Sequence, residues 1–144
     1  MKAKIKWVDG VRFLAESGSG HSITVEGPES HGGCNTGMRP MELMLAGLGG
    51  CTSFDVMNIL KKSRQEVTDC VAVLSAERAD EVPAVFTKIG IHFEVTGHHL
   101  KPSAVERAVA LSAEKFCSAS IMLEKAGVEI TLSFEVIDTE AQRG

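Results

Sequence analysis

The sequence predicts a mixed α+β fold with about six antiparallel strands and two or three helices. Three observations carry this prediction. Residues 2–8 alternate lysine and apolar side chains, the pattern of a strand with one wet face. A long apolar segment follows Pro40, and a second segment after residue 102 repeats its apolar residues with helical spacing. Because 44% of the residues are hydrophobic and 24% are charged, we expect residues 1–144 to form a single globular domain.

The N-terminal part of the chain is predicted to be a meander of three short strands. The strands are expected at residues 2–8, 12–16 and 22–26, and a Ser-Gly-Ser-Gly run separates the second from the third. The segment from Gly27 to Gly37 is rich in Gly, Ser, His and Asn and has no periodicity. We therefore predict a mobile surface loop there.

The segment MELMLAGLGGCTSFDVMNIL, which follows Pro40, is predicted to be a buried central helix. Proline is well suited to the first helical position, and only Glu42 and Asp55 are charged in this segment. Its length also fits a membrane span. However, two acids, an asparagine, two hydroxyl groups and three glycines make insertion costly, so we favour the soluble interpretation.

The rest of the chain is predicted to contain three strands and two helical segments. Strands are expected at residues 70–78, 86–96 and 128–136, where apolar and polar side chains alternate. The first helical segment follows HHLKP, and its apolar stripe comprises Val105, Ala108, Val109, Ser112 and Phe116. The second, SASIMLEKAG, ends at Gly127, which suits a helix C-cap.

The charge pattern of the chain argues against several classes of partner. The formal net charge is −4, and lysine and arginine are scattered, so we expect neither nucleic acid nor a membrane as a partner. The N-terminus has no apolar signal core, which predicts a cytoplasmic protein. No cofactor motif is present, so no cofactor is expected.

The four cysteines, at positions 34, 51, 70 and 117, form no CxxC pair and have no histidine at metal-ligand spacing. No metal site is therefore expected, beyond opportunistic binding by His31 with Cys34 or by His98 with His99. Permanent disulfides are rare in a reducing compartment. A structured cysteine pair in this chain would therefore be catalytic or redox-sensing.

Small residues surround two of the cysteines, Cys51 in GLGGCTSFD and Cys117 in KFCSASI. A glycine inside a helix costs roughly 0.5–1 kcal/mol, so the three glycines before Cys51 favour the close approach of another helix. If the Cys117 segment is that neighbour, the two sulfurs come within disulfide reach. Such a pair suits peroxide reduction, although two tightly packed core thiols without chemistry remain an alternative.

The order of these motifs resembles the OsmC/Ohr family (osmotically inducible protein C and organic hydroperoxide resistance). The resemblance rests on Pro40-Met41-Glu42-Leu43 leading into Gly49-Gly50-Cys51, and on Cys117 opening a later helical stretch. KWVDG, AERADEVPAVFTKIGIHFEVTG and LSAEKFCSASIMLEKA resemble its YhfA-type branch. The resemblance implies an intertwined homodimer, with antiparallel sheets wrapped around buried central helices. It also implies reduction of organic or hydrogen peroxides, in oxidative-stress defence, with electrons from an external dithiol.

The resemblance also implies an arginine and a glutamate beside the reactive cysteine. Glu42 lies one position later than the family's glutamate, and Arg39 is the nearest candidate for the cation, with Arg12 as the second. On a straight helix nine residues turn through about 900°, so contact of Glu42 with Cys51 requires a break at Gly47 or Gly49. The alternatives are a surface arginine and a carboxylate that interacts with the helix dipole.

The predicted site thus contains Cys51, Cys117, Glu42 and Arg39. Cys51 is assigned to attack on peroxide because two glycines precede it, and Cys117 to resolution because bulky Phe116 precedes it. Cys34 is expected to be an exposed thiol and Cys70 a core thiol. A second function remains open, in which the protein is not catalytic and binds a small hydrophobic ligand in the dimer crevice.

Overall fold

The computed structural model describes residues 1–139, and the chain divides into two compact units. The first is Met1–Ala46 and the second begins at Gly47, inside the longest helix, α1 (Pro40–Lys62). The other elements are β1 (Ala3–Asp9), β2 (Arg12–Ser17), β3 (Ser22–Glu26), β4 (Glu66–Arg78), β5 (Phe86–His98), α2 (Pro102–Leu111), α3 (Ser118–Lys125) and β6 (Glu129–Asp138). The α+β fold class is confirmed, while the single domain over residues 1–144 stays a prediction.

The first unit is built on an antiparallel sheet in the order β1-β2-β3, which confirms the predicted meander. The predicted half-burial of the first strand is not found within the chain, because all seven residues of β1 are exposed. Ile5 and Trp7 remain 62% and 63% exposed. The apolar face of this strand is therefore uncovered in the isolated chain.

The segment after β3 is organised around one buried carboxylate. Glu26 accepts hydrogen bonds from the backbone N–H groups of Cys34 (2.8 Å) and Thr36 (2.7 Å) and from the Thr36 hydroxyl (2.7 Å). These bonds stabilise the charged form and lower the pKa of Glu26 to about 2. The predicted mobile loop is thus corrected: the segment contains only a short 3₁₀ turn, Glu29–His31, but hydrogen bonds tie it to the end of β3.

The second unit contains a three-stranded sheet in the order β4-β5-β6. β4 and β5 are antiparallel, whereas β5 and β6 are parallel, with His92 opposite Ser133. The prediction that all strands are antiparallel is therefore wrong. The reason lies in the connection, because α2 and α3 form a long crossover that returns the chain to the same end of the sheet.

Within the second unit α1 buries one stripe rather than its whole circumference. The buried residues, four apart or nearly so, are Leu48, Gly49, Thr52, Val56 and Leu60. Phe54 is 71% exposed, so the prediction of burial on all sides does not hold within one chain. The helix is continuous, and neither Gly47 nor Gly49 breaks it. By length and composition it also passes for a membrane span, as core helices of soluble proteins can.

A π-helical turn, Ser112–Phe116, separates α2 from α3. The predicted apolar stripe is correct through Val109 and Ser112, which are buried, but Phe116 is 51% exposed. A π turn is wider than an α turn, so residues after it lie at a different angle around the axis. The turn ends at Cys117, whose extended backbone forms the N-cap of α3.

Candidate functional site

The second unit brings Cys51 and Cys117 together, as the sequence predicted. The carboxylate of Asp55 lies beside the two thiols. The two sulfur atoms and a carboxylate oxygen of Asp55 all lie within 4.8 Å of one another. Cys117 is buried, and the other two residues are half-buried. This cluster is the candidate site.

The position of Cys51 and Asp55 follows from the helix that carries them. They are four residues apart on α1, so their side chains lie on the same face. Between them, the buried Thr52 accepts a hydrogen bond at its carbonyl oxygen from the Ser112 hydroxyl, at 3.0 Å. This bond fixes the π-helical turn against α1 beside the cluster.

The position of Cys117 follows from the π-helical turn. Its backbone N–H donates to the carbonyl of Ser112 at 2.7 Å, five residues earlier, and this bond closes the turn. Its sulfur accepts a hydrogen bond from the Ser120 N–H at 3.4 Å, as an N-cap side chain does. π turns often occur at functional sites, and this one sets the direction of a thiol.

The electrostatics of the site keep Cys117 protonated at neutral pH. Burial raises the pKa of Cys117 to about 11, and the hydrogen bond with Cys51 adds to the shift. The Ser120 N–H opposes this shift because it stabilises the thiolate, but its effect is smaller. Cys117 is therefore a hydrogen-bonded thiol, while Cys51 is the more accessible of the two sulfurs.

The glycines before Cys51 do not contact a helix in this chain, contrary to expectation. A Cβ atom at Gly49 would lie 2.8 Å from Cδ1 of Leu74, so this glycine allows β4 to approach α1. A Cβ atom at Gly47 or Gly50 would meet nothing within 4 Å. The close neighbour is thus a strand side chain at one glycine, and two glycines face open space.

Arg39 and Glu42, the other predicted site residues, belong to the first unit. The Arg39 backbone N–H donates to Glu42 Oε1 at 2.8 Å, as in a capping box at the start of a helix. The Arg39 guanidinium donates to the carbonyl of Gly37 (2.8 Å) and to Asn35 Oδ1 (3.0 Å). Both residues therefore have structural contacts in their own unit, and their catalytic roles stay predictions.

Arg12, the second candidate for the cation, is engaged with neighbours in the first unit. Its guanidinium forms an ion pair with Asp9 and donates to the Thr36 hydroxyl at 3.4 Å. The hydrogen bond with Asp9, followed by its charge, raises the pKa of Arg12. Arg12 therefore stays charged and helps to hold the segment that Glu26 organises.

The remaining cysteines lie outside the cluster. Cys34 is exposed, as predicted. Cys70 is half-buried rather than a core thiol, and it lies inside β4, which begins four residues earlier than expected, at Glu66. Burial raises the pKa of its thiol. Among residues 1–139, the groups of three or more metal-ligating side chains include neither His31 nor His98.

Sequence reasoning missed Asp55, which it treated only as a charge within an apolar helix. The available signal was its spacing of four residues from Cys51. Asp55 also lines a cavity of about 380 Å³. The wall of this cavity includes two cations, Lys62 and Arg107, and the apolar side chains of Ile59, Leu111 and Phe116.

The sequence of this chain is similar to sequences of known proteins. Residues 31–133 match the model of a family described as OsmC-like protein. The chain is 51% identical to Protein YhfA of Escherichia coli K12 over 140 residues, which cover 95% of this chain and 98% of that protein.

Two solved structures show the same fold. A hypothetical protein from Aquifex aeolicus VF5 has a TM-score of 0.82 and 32% identity, over 94% of each chain. The organic hydroperoxide resistance protein OhrB of Bacillus subtilis has a TM-score of 0.60 and 22% identity, over 94% of this chain and 98% of that one.

Proposed function

The chain belongs to the OsmC-like family, and we propose that it is a thiol-dependent peroxidase, which reduces organic or hydrogen peroxides in oxidative-stress defence. The observation that carries the proposal is the pair of sulfurs from Cys51 and Cys117, less than 4.8 Å apart beside a carboxylate. A disulfide bond is about 2.05 Å long, so the two sulfurs have to approach each other by at most about 2.8 Å to form one. Names of fold relatives, such as organic hydroperoxide resistance protein, point to the same chemistry.

The proposed reaction has three steps. The Cys51 thiolate attacks the terminal oxygen of the peroxide, the O–O bond breaks, and the alkoxide leaves as an alcohol after taking a proton. Cys51 is then a sulfenic acid, and the Cys117 sulfur displaces its hydroxyl group as water to form the disulfide. An external dithiol reduces this disulfide and is itself oxidised, which restores both thiols.

The surroundings of the two cysteines support this division of labour. Cys51 is half-buried and approachable, whereas Cys117 is buried. The raised pKa of Cys117 keeps its proton in place, so it can donate a hydrogen bond to Cys51. A protonated partner stabilises a neighbouring thiolate. When the Cys117 sulfur later attacks the sulfenic acid, its proton leaves with the displaced hydroxyl group as water.

The catalytic roles of Arg39 and Glu42 are part of the same proposal. A cation beside a cysteine favours the thiolate, and a glutamate can orient that cation. The likeness to the family supports these roles, and the capping hydrogen bond holds the Glu42 carboxylate against the Arg39 backbone. A cytoplasmic location, where external dithiols are available, is also proposed.

We also propose that the working form is a homodimer. Gly47, Gly50 and Phe54 lie on one exposed face of α1, where two glycines that meet nothing leave room for another backbone. Each glycine costs about 1 kcal/mol in a helix, which contact with a second copy would offset. In the first unit the exposed face of Ile5 and Trp7 is a second apolar surface that a partner can cover.

Intact-mass spectrometry tests the peroxidase proposal. After one equivalent of cumene hydroperoxide, wild-type protein should lose two hydrogen atoms as the disulfide forms. Cys51→Ser should consume no peroxide, and Cys117→Ser should gain oxygen at Cys51 because nothing captures the sulfenic acid. Cys34→Ser and Cys70→Ser are the matched controls and should behave as wild type. Oxygen addition or no change in the wild type would refute the two-cysteine mechanism.

The second candidate function is noncatalytic binding of a small hydrophobic ligand. An open groove of about 410 Å³ supports it, with Phe54, Met57 and Val67 among its lining residues and Lys61 at its side. Native mass spectrometry of freshly purified protein should then detect a copurifying molecule that Phe54→Ala releases. If no mass shift is present and peroxide is consumed, the peroxidase proposal stands alone.

A further inference from the structure

We propose that Cys51, Asp55 and Cys117 form a binding site for a thiophilic divalent cation such as Zn²⁺. Two thiolates and one carboxylate supply three ligands, and the fourth position is open to water or to a substrate. The proposal starts from geometry, because all three ligand atoms lie within 4.8 Å of one another. It does not depend on peroxidase activity.

The spacing of the ligand atoms suits tetrahedral coordination. Zn–S bonds of about 2.3 Å and Zn–O bonds of about 2.0–2.2 Å place the ligand atoms roughly 3.5–3.8 Å apart. The three atoms of the cluster therefore have to approach one another by about 1 Å at most. Side-chain rotation supplies such a movement without displacing either helix.

The donor set favours a soft or borderline cation. Two thiolate sulfurs bind Zn²⁺ far better than Mg²⁺ or Ca²⁺, which prefer oxygen ligands. The expectation of no metal site came from the absence of a CxxC pair, but here the ligands come from different segments. Cys51 and Asp55 are one turn apart on α1, and the π-helical turn delivers Cys117 from far along the chain.

The surroundings of the ligands meet two further requirements of a metal site. The Ser120 N–H donates to the Cys117 sulfur, which orients this ligand and stabilises its thiolate form. Asp55 lines a cavity of about 380 Å³, so a cation can reach its carboxylate from solvent, although Lys62 and Arg107 in the wall of this cavity repel it. Ligand identity, orientation and access are thus all present in the second unit.

Cation binding and the disulfide exclude each other. Formation of the Cys51–Cys117 disulfide removes two electrons and both thiolate ligands from the cluster. A bound cation, in turn, ties up both sulfurs and protects them from oxidation. The same three residues therefore bind a cation only in the reduced protein.

Titration with Co²⁺ tests the site, because thiolate-to-Co²⁺ charge transfer gives an absorption band that reports sulfur ligands. Reduced, chelator-treated protein should bind one Co²⁺ per chain with this band, and Zn²⁺ should displace it. Protein oxidised to the disulfide should show no band. The second ligand cluster of the unit, His92, Glu94 and Glu135, contains no sulfur and cannot produce the band.

Variants separate the three ligands from the other thiols. Cys51→Ser and Cys117→Ser should lose most of the band. Asp55→Asn keeps both thiolates and should weaken Co²⁺ binding at least about tenfold while the band persists at saturation. Cys34→Ser, Cys70→Ser and Asp69→Asn are matched controls and should bind as wild type. Thermal unfolding without metal checks that each variant is folded.

Three results would overturn the proposal: no charge-transfer band at millimolar Co²⁺, the same affinity in Asp55→Asn as in wild type, or loss of the band in Cys34→Ser or Cys70→Ser. Peroxide consumption is measured separately in the presence of chelator. A protein that consumes peroxide without binding Co²⁺ refutes only the cation site. A protein that binds Co²⁺ and consumes no peroxide refutes only the peroxidase proposal.

Discussion

Each of the two units of this chain is stabilised internally by a different kind of interaction. Among residues 1–46 only Val25 and Glu26 are buried, and hydrogen bonds to the Glu26 carboxylate organise the segment after β3. The second unit has an apolar core from both helices and sheet, which includes Val56, Leu60, Ile89, Ile91, Phe93, Val95 and Val105. Polar networks fix local geometry, whereas apolar burial supplies most folding free energy. We therefore expect the second unit, which contains the thiol pair, to dominate stability.

The largest expected effect is the loss of a core side chain from the second unit. Ile91 is 1% exposed, so Ile91→Ala should lower the free energy of unfolding by about 2–5 kcal/mol. Ile5→Ala is the matched substitution in the first unit. Because Ile5 is largely exposed in one chain, this change should cost about 0.5 kcal/mol or less at low protein concentration. Urea unfolding measures both.

The concentration dependence of the same pair sharpens the comparison. If a second copy covers the apolar face of β1, the cost of Ile5→Ala should grow as protein concentration rises. The cost of Ile91→Ala should stay large at every concentration. If both substitutions lowered the free energy of unfolding equally at low concentration, the second unit would not be the one that dominates stability.

The next effect concerns self-association through the exposed face of α1. Phe54→Glu places a charge in the proposed dimer contact and should weaken association by about 2 kcal/mol or more, roughly thirtyfold. Sedimentation measures it. Val82→Glu is the control, since Val82 is an exposed apolar residue in the connection between β4 and β5. A wild type that is a folded monomer at micromolar concentration would refute the dimer.

Alternating side chains were enough to predict most of the strands in the two sheets. The strand at residues 22–26 was predicted with its observed bounds, and the helix after Pro40 was placed correctly. Period-two alternation indicates which residues share a face of a strand, but it does not indicate whether neighbouring strands run parallel or antiparallel. For this reason the parallel pairing of β5 and β6 could not be obtained from the pattern of Val128 to Val136.

The candidate site was predicted in part. Cys51 and Cys117 stood out because small residues surround them, whereas Asp55 was missed because its role depends on a neighbour from another segment. The prediction that Phe116 belongs to the buried stripe was wrong for a related reason. Helical spacing assumes an α-helix, and the π turn changes the angle at which its residues lie around the helix axis. Local patterns thus identified the two thiols but not the π-helical turn that positions Cys117 beside Cys51.

A smaller effect is expected from the carboxylate that organises the first unit. The pKa of Glu26 is about 2 in the folded protein against an ordinary value of 4.5, so its ionised form stabilises the fold above pH 4.5. This stabilisation is lost as the pH falls from about 4.5 through about 2. Glu26→Gln should be less stable than wild type at pH 7, and the difference should shrink as the pH falls and be nearly lost at about pH 2. Urea unfolding across this range measures it.

Glu29→Gln is the control for this pH dependence, because Glu29 is an exposed carboxylate in the same segment. It should leave the stability profile unchanged. A difference between wild type and Glu26→Gln that persists at pH 2 would show that the substitution acts through shape or packing. The ionised carboxylate would then not be what holds Cys34 and Thr36 in place.

The smallest expected effect tests whether a residue of the first unit acts on the chemistry of the second. If Arg39 supplies the proposed cation, Arg39→Ala should shift the pH profile of Cys51 alkylation to higher pH, because a nearby cation favours the thiolate. Arg39→Lys should keep part of the effect. Asn35→Ala is the control: it removes a hydrogen-bond partner of Arg39 and leaves the guanidinium in the chain. A profile that moves equally in Arg39→Ala and Asn35→Ala would assign Arg39 to the structure of its own loop, and an unchanged profile would remove it from the site.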